Sequence, residues 1–327
     1  MIIITGGAGM IGSMIAWHLN TKLGRDDLVI VDHIMHEAQW GNLVHRHYVE
    51  YLDRNQLFDF LEDNEGVDAI VHMGAISATT ERDFNKLVEA NIQYSQDLWI
   101  WCTEFKVPFF YASSAATYGD GSAGYDDANI ESLRPLNGYG YSKHFFDQWV
   151  LKQTPENSPP NWAGFKFFNV YGPNEYHKDR MASVAFHTFN QFAETGTMKL
   201  FKSTKAGIAD GEQQRDFVYV KDCANIVAHF LTAAHSKKPT PNDIYNIGTG
   251  QARTFKDLAT NVMVNMGKTP HITYIDMPGD LRGKYQYFTE ANMTKLRKVG
   301  YSAPFTSLED GVKDYVQNYL MQDDPYC

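Results

Sequence analysis

Short apolar runs alternate with helically spaced stretches along the first 170 residues. Ile2-Ile3-Ile4-Thr5 is a continuous apolar run and predicts a strand buried on both faces. Ile11–Leu23 places Ile11, Ile15 and Leu19 at helical spacing. Leu28–Val31 predicts a second strand, closing at Asp32. A helix over Arg54–Glu62 and a strand over Ala69–His72 follow, then a long helical stretch, Arg82–Phe105, stopped near Pro108. Val107–Ala112 predicts a fourth strand, Tyr139–Leu151 a helix and Ala163–Phe168 another strand. This alternation predicts an α/β fold, a parallel sheet with helices on both faces. Beyond Phe168 the pattern loosens. Tyr171–Arg180 is polar with Gly and Pro, Met181–Glu194 reads as a helix and Lys202–Gln214 as a loop. Asp216–Val220 and Ile244–Ile247 read as returning strands. The predicted organisation is a domain over 1–170, rejoined by segments near 215–250, and a smaller, discontinuous lobe mainly over 171–327.

Composition narrows the function classes. The chain has 327 residues, 43% hydrophobic and 21% charged, as in ordinary globular proteins. With 29 Lys+Arg against 39 Asp+Glu the net charge is −10. That argues against non-specific nucleic-acid binding and against a polybasic membrane anchor. No apolar run reaches a membrane span, and the N-terminus lacks the pattern of a signal peptide. Cys102, Cys223 and Cys327 are too scattered for a metal site, which predicts a reduced cytosolic setting and no bound metal.

Candidate chemistry begins at Gly6-Gly7-Ala8-Gly9-Met10-Ile11-Gly12, between the first strand and the first helix. Glycines there permit a tight turn and let backbone N–H groups approach a diphosphate, with the helix N-terminus adding donors. Asp32 lies 20 residues past Gly12 and closes the second strand, where it would accept hydrogen bonds from an adenosine ribose. That context predicts dinucleotide binding in a Rossmann-type, doubly wound sheet. Asp32 favours NAD over NADP. His33, His36, Arg46 and Arg54 could instead place positive charge near a 2′-phosphate, so the preference stays open.

A second constellation is Tyr139-Gly140-Tyr141-Ser142-Lys143. Tyr139 and Lys143 share a helix face four residues apart. An ammonium beside a phenol is expected to lower the phenol's pKa toward neutrality, giving an acid/base at cellular pH. Ser114 or Thr117, at the end of the fourth strand, could hydrogen-bond the reacting oxygen.

Together these segments resemble the extended short-chain dehydrogenase/reductase family of nucleotide-sugar epimerases and dehydratases, over nearly the whole chain. The carrying segments are TGGAGMIG (5–12), YASSAATYG (111–119), LNGYGYSK (136–143), FFNVYGP (167–173), RDFVYVKD (215–222) and YNIGTG (245–250). A further run, HKDRMASVAFH (177–187), resembles the narrower branch of ADP-L-glycero-D-manno-heptose 6-epimerases. The resemblance implies inversion at C6 of an ADP-heptose. Hydride is removed to a bound NADP or NAD, giving a transient carbonyl compound, and is returned to the other face. It assigns the two proton-handling roles to Tyr139 and Lys178, assisted by Lys143 and Ser114. A lysine base needs burial or nearby positive charge to lower its pKa. The resemblance places the cofactor on Gly6, Gly9, Met10, Ile11, Gly12, Asp32, His33, Arg54 and Met73-Gly74-Ala75-Ile76-Ser77, with Asn91, Lys143, Val170 and Lys178. Gln39 stands where the family commonly has a lysine associated with the adenosine phosphate. Substrate contacts carry over to Asn169, His187, Phe201, Lys202, Ser203, Thr204, Arg215 and Tyr285. Arg180 replaces a usual serine beside Lys178 and could contact substrate phosphate or point outward. Arg215 could clamp a pyrophosphate, or form a salt bridge with Asp216 or Asp222. The resemblance also implies a homo-oligomer, a pentamer, in the bacterial cytoplasm, making a precursor of the lipopolysaccharide inner core. Dehydratases of the family usually carry an acidic pair beside the central Ser/Thr, and Ser114-Ala115-Ala116-Thr117 has no carboxylate. A regulator that merely binds cofactor would be free to lose Tyr139, Lys143 and Lys178, and all three are kept.

Overall fold

The computed structural model describes residues 1–64, 66–279 and 285–327. Its centre is a seven-stranded, wholly parallel sheet. In chain order its strands are β1 (Ile2–Thr5), β2 (Leu28–Asp32), β3 (Glu50–Asp53), β4 (Ala69–His72), β5 (Phe109–Ser114), β6 (Trp162–Phe167) and, after a long excursion, β10 (Asp243–Ile247). Their spatial order is β3-β2-β1-β4-β5-β6-β10. The order reverses between β1 and β4, and ligands of such sheets bind at the carboxyl ends beside that reversal.

Side chains alternate across the pleat, so one strand feeds two cores. Ile2 and Ile4 enter a core shared with the helices Met10–Leu23 and Val220–Ala234, while Ile3 enters the core beneath Tyr94–Glu104 and Gly138–Val150. The remaining strands are β7 (Asn169–Tyr171), β8 (Met198–Phe201), β9 (Gln214–Tyr219), β11 (Ala252–Thr254) and β12 (Ile272–Ile275). They form a three-stranded sheet, β11-β9-β7, and a two-stranded pair, β12-β8, beside the main sheet.

Several boundaries differ from the sequence reading. The edge strand β3 was not expected: Glu50-Tyr51-Leu52-Asp53 is short, polar and incompletely buried, so it carries no apolar signature. The stretch 82–105 is interrupted by a π-turn, Val88–Gln93, that seats Asn91. The helix expected from Met181 starts at Val184, where Ser183 caps it by accepting from the Phe186 N–H.

Candidate active site

The glycine turn is shaped by close backbone approaches. Gly6 has φ +65°, and a Cβ on it would lie 2.6 Å from the Gly74 nitrogen, where the turn crosses the loop leaving β4. A Cβ at Gly12 would lie 2.2 Å from the Gly6 carbonyl oxygen, so the first helix packs directly on the turn. A Cβ at Gly9, by contrast, would meet only the Gly6 oxygen, at 3.1 Å. Gly9 opens the helix Met10–Leu23 with no side-chain cap and no acid in its first turn. The leading N–H groups of a helix without a side-chain cap are the donor set a diphosphate needs.

At the ribose end, the Asp32 carboxylate accepts from Ala8 N–H (2.8 Å) and His33 N–H (2.8 Å) and is bonded by Gln39. Burial raises its pKa. His33 pairs with Asp53 at 2.7 Å, and Arg54 lies 3.8 Å from Glu89. The loop from Met73 to Ser77 leaves β4 beside the glycine turn. Asn91 lies against this loop. It is fully buried, its amide bonding both Ile76 N–H (2.8 Å) and Ile76 carbonyl (3.0 Å) and reaching Ser142 (3.0 Å). Asn91 therefore fixes the loop's course.

The helix Gly138–Val150 begins with Asn137 capping Gly140 N–H and presents Tyr139 and Lys143 one turn apart. Ser114, at the end of β5, hydrogen-bonds the Tyr139 phenol. Burial raises the Tyr139 pKa, and Asp147 adds to this, against a lowering by the Ser114 bond. This corrects the expectation that Lys143 would pull the phenol toward neutrality. Desolvation of the phenol dominates, and Lys143 is itself only 3% exposed, its pKa pulled by burial down to about 8. Thr117 is not free for a reacting oxygen: its hydroxyl donates to the Ser114 carbonyl (2.8 Å) and accepts from the Lys166 ammonium (2.8 Å).

Lys178 lies on the loop that leaves β7, and its ammonium reaches the Met10 sulfur at 3.7 Å, beside the glycine turn. Three residues on, Met181 accepts from the Thr79 hydroxyl at 3.9 Å. The loop thus crosses from the turn after β1 to the segment after β4. Sequence reasoning missed what holds it there. Asn174, buried with φ +70°, donates to Ser13 Oγ at 2.9 Å, and its carbonyl accepts from Asn42, which also bonds the Ala8 carbonyl (2.8 Å). The buried Glu175 accepts from the Ser183 hydroxyl at 2.7 Å. The polar residues of a glycine- and proline-bearing stretch were the available signal. Arg180 is exposed and has no partner among the described residues.

The second lobe brings together Phe201, Thr204, Arg215 and Tyr285. Arg215 is 6% exposed, stacked between Phe255 (5.3 Å) and Tyr285 (5.0 Å), and donates to the Gln214 carbonyl. Burial lowers its pKa. The salt-bridge alternative is excluded. Asp216 is taken up by Thr249, Gly250 and Ala291, and Asp222 by Thr306. Among the described residues the buried Arg215 guanidinium therefore has no carboxylate partner, and its remaining donors are of the kind that match phosphate oxygens. Phe201 packs against Tyr285 and the Thr204 hydroxyl bonds Tyr287 (2.7 Å). Lys202 instead pairs with Asp276 (3.1 Å) and Ser203 N–H with Asp210 (2.8 Å). Asn169 is exposed on β7, two register positions from Arg215, Val170 is half-buried beside it, and His187 is half-buried near the start of Val184–Thr195.

A glycine turn between strand and helix at a sheet's switch point, a Tyr–Lys pair and a serine are the features of a nicotinamide-dependent enzyme of short-chain dehydrogenase/reductase type. The comparisons agree. The chain belongs to the NAD dependent epimerase/dehydratase family, whose model matches residues 2–248. It is 50% identical, over 100% of both chains, to the ADP-L-glycero-D-manno-heptose-6-epimerase of Fusobacterium nucleatum. The same holds for the enzyme of that name from Nitratidesulfovibrio vulgaris, also 50% identical over the full length of both. Among solved structures, the Helicobacter pylori ADP-L-glycero-D-manno-heptose-6-epimerase superposes with a TM-score of 0.79 at 28% identity, over 97% of this chain and 95% of that one. A Bacillus cereus UDP-glucuronic acid 4-epimerase with UDP-glucuronic acid and NAD shares the fold, at a TM-score of 0.77 and 22% identity, over 97% of this chain and 99% of that one.

Proposed function

We propose that this protein inverts C6 of ADP-D-glycero-D-manno-heptose to give ADP-L-glycero-D-manno-heptose. The full-length identity to enzymes of that name supports the substrate. The observation that carries the mechanism is the placement of Tyr139 and Lys178 on separate elements, one beside Ser114 at the carboxyl end of β5 and the other beside Met10 after β1, since inversion needs a proton handler for each face. Bound nicotinamide supplies the acceptance and return of hydride. Ser114 and Tyr139 hold the C6 oxygen. Tyr139 exchanges its proton on one face, and Lys178 serves the opposite face from beside Met10. Arg215 grips the diphosphate at a distance from the chemistry, so the heptose can re-present its other face without the nucleotide leaving. The test is Tyr139→Phe and Lys178→Met made separately. Each is expected to fold, keep its cofactor and lose epimerisation; full activity in Lys178→Met removes the two-base assignment.

Of the two dinucleotides, we infer NAD. Asp32 closes β2, His33 already faces Asp53 and Arg54 lies near Glu89, so the closest cations are shared with carboxylates. A 2′-phosphate there would meet the desolvated Asp32 carboxylate. Mass spectrometry of cofactor released from the purified protein decides between them. Copies of the chain are proposed to associate, in a pentamer on the family resemblance. Phe84 and Tyr141 pack together at the surface, Phe145 is exposed on the helix of Tyr141, and Ile100 and Phe105 are exposed on and just past the helix Tyr94–Glu104. A monomer by light scattering would contradict this. The reading places the enzyme in cytoplasmic synthesis of a lipopolysaccharide inner-core precursor. Among the described residues no helix is long and apolar enough to cross a membrane.

A further inference from the structure

Behind the Tyr139–Lys143 face lies a charged network that the mechanism above does not use. Asp147 is one helical turn beyond Lys143, and neither it nor Lys166 of β6 has exposed side-chain surface. The Lys166 ammonium contacts Asp147 Oδ2 at 2.5 Å. Asp147 also accepts from the Tyr111 hydroxyl (3.0 Å) and the Ser113 hydroxyl (2.6 Å), both on β5. Lys166 donates onward to Thr117 (2.8 Å), whose hydroxyl holds the Ser114 carbonyl. The network therefore bolts the helix carrying Tyr139 and Lys143 to the strand end carrying Ser114. An ion pair removed this far from water is costly, and hydrophobic replacements are often as stable. Stability alone is thus a weak reason for its presence.

We propose that Asp147 is a positioning residue for the epimerisation: it fixes Ser114 against Tyr139 and supplies the negative charge that keeps Lys143 an ammonium. The inference rests on the functional reading above. Lys143 is buried and makes no ion pair among the described residues, so Asp147 is the charge that favours its protonated form. The other titratable groups around it do not substitute. His72, at the end of β4, has a pKa pushed down to about 3 by burial and is neutral at physiological pH. His144, on the same helix, also has its pKa lowered by burial. Lys166 is a like charge, and the Tyr111 phenol is held neutral by burial. Without Asp147, Lys143 loses its proton at lower pH.

The direct test follows the lysine rather than the reaction. Protein labelled with 13C at lysine Cε is titrated by NMR, with Lys143 assigned by its missing signal in Lys143→Arg. Asp147→Asn is expected to lower the Lys143 midpoint by about one unit, and Asp147→Glu to restore it. The alkaline limb of the kcat profile is expected to move down by the same amount, with KM nearly constant. An unmoved Lys143 midpoint in Asp147→Asn overturns the electrostatic role, whatever the activity. Thr117→Val tests the geometric role and stands in if Asp147→Asn does not fold. It leaves the charge in place and should cut kcat about tenfold with the Lys143 midpoint unchanged; undiminished kcat overturns that role. A wild-type protein inactive on ADP-heptose would count against the proposed substrate, while the Lys143 titration still decides on Asp147.

Discussion

Arg215→Met separates function from stability more sharply than any other change at the site. The wild-type side chain forfeits hydration and has no carboxylate partner among the described residues. It is supported by two ring stacks and one bond to the Gln214 carbonyl. Each stack contributes about 1 kcal/mol and the carbonyl bond about 1 kcal/mol. Burying the charge costs several kcal/mol. Methionine fills most of the slot between Phe255 and Tyr285 without that cost. The variant should therefore melt at or slightly above the wild-type temperature, although a buried residue has been changed. Binding should move the other way. A bidentate guanidinium–phosphate contact in a dry site contributes about 3 kcal/mol, so affinity for ADP should fall about 150-fold. Differential scanning calorimetry of the two proteins and isothermal titration with ADP give both numbers. A variant melting more than about 5 °C lower makes Arg215 a structural residue. An ADP affinity within about threefold of wild type removes it from the diphosphate site.

Gly12→Ala places a Cβ 2.2 Å from the Gly6 carbonyl oxygen. It should separate helix from turn, and the purified protein should lose the absorbance of bound dinucleotide. Tyr139→Phe removes the phenolic hydroxyl and, with it, the Ser114 bond; epimerisation should fall by at least about 100-fold while the melting temperature barely changes. The buried His72, bonded to Thr5 (2.6 Å) and Ser95 (2.9 Å), has its pKa lowered from 6.5 to about 3. The unfolded chain therefore binds a proton that the folded chain refuses. The associated stability is full above pH 6.5 and is lost as pH falls toward 3. Urea unfolding at pH 5 should show a loss of about 2 kcal/mol from this group, a loss absent in His72→Gln.

The main sheet was legible because its strands are buried on both faces, which leaves no polar alternation to confuse them. The edge strand β3 was not, because an edge needs no apolar pattern. The glycine turn could be read residue by residue, since Gly6 and Gly12 answer to backbone contacts encoded nearby. What holds the Lys178 loop was illegible. Asn42 and Asn174 are 132 residues apart, and a buried asparagine looks like a loop asparagine until the fold brings its partners. Lys166 did give a signal, as the one charged residue in the run Gly164-Phe165-Lys166-Phe167-Phe168. Its partner Asp147 continues the Tyr139–Lys143 spacing by another four residues. The phenol's pKa was misjudged because spacing reports a neighbouring charge but not desolvation. Arg215 could not be resolved from sequence: adjacent acids suggested a salt bridge, and only the fold shows Asp216 and Asp222 engaged elsewhere.

The central claim is that this chain inverts C6 of an ADP-heptose with a nicotinamide that stays bound and recycles its hydride. Proton NMR of the purified protein with ADP-D-glycero-D-manno-heptose, and no added nicotinamide, tests it most directly. The account predicts conversion to the L-glycero epimer until the two isomers equilibrate, with no net change in cofactor absorbance. A protein with verified bound cofactor that leaves the D-glycero signals unchanged would contradict it.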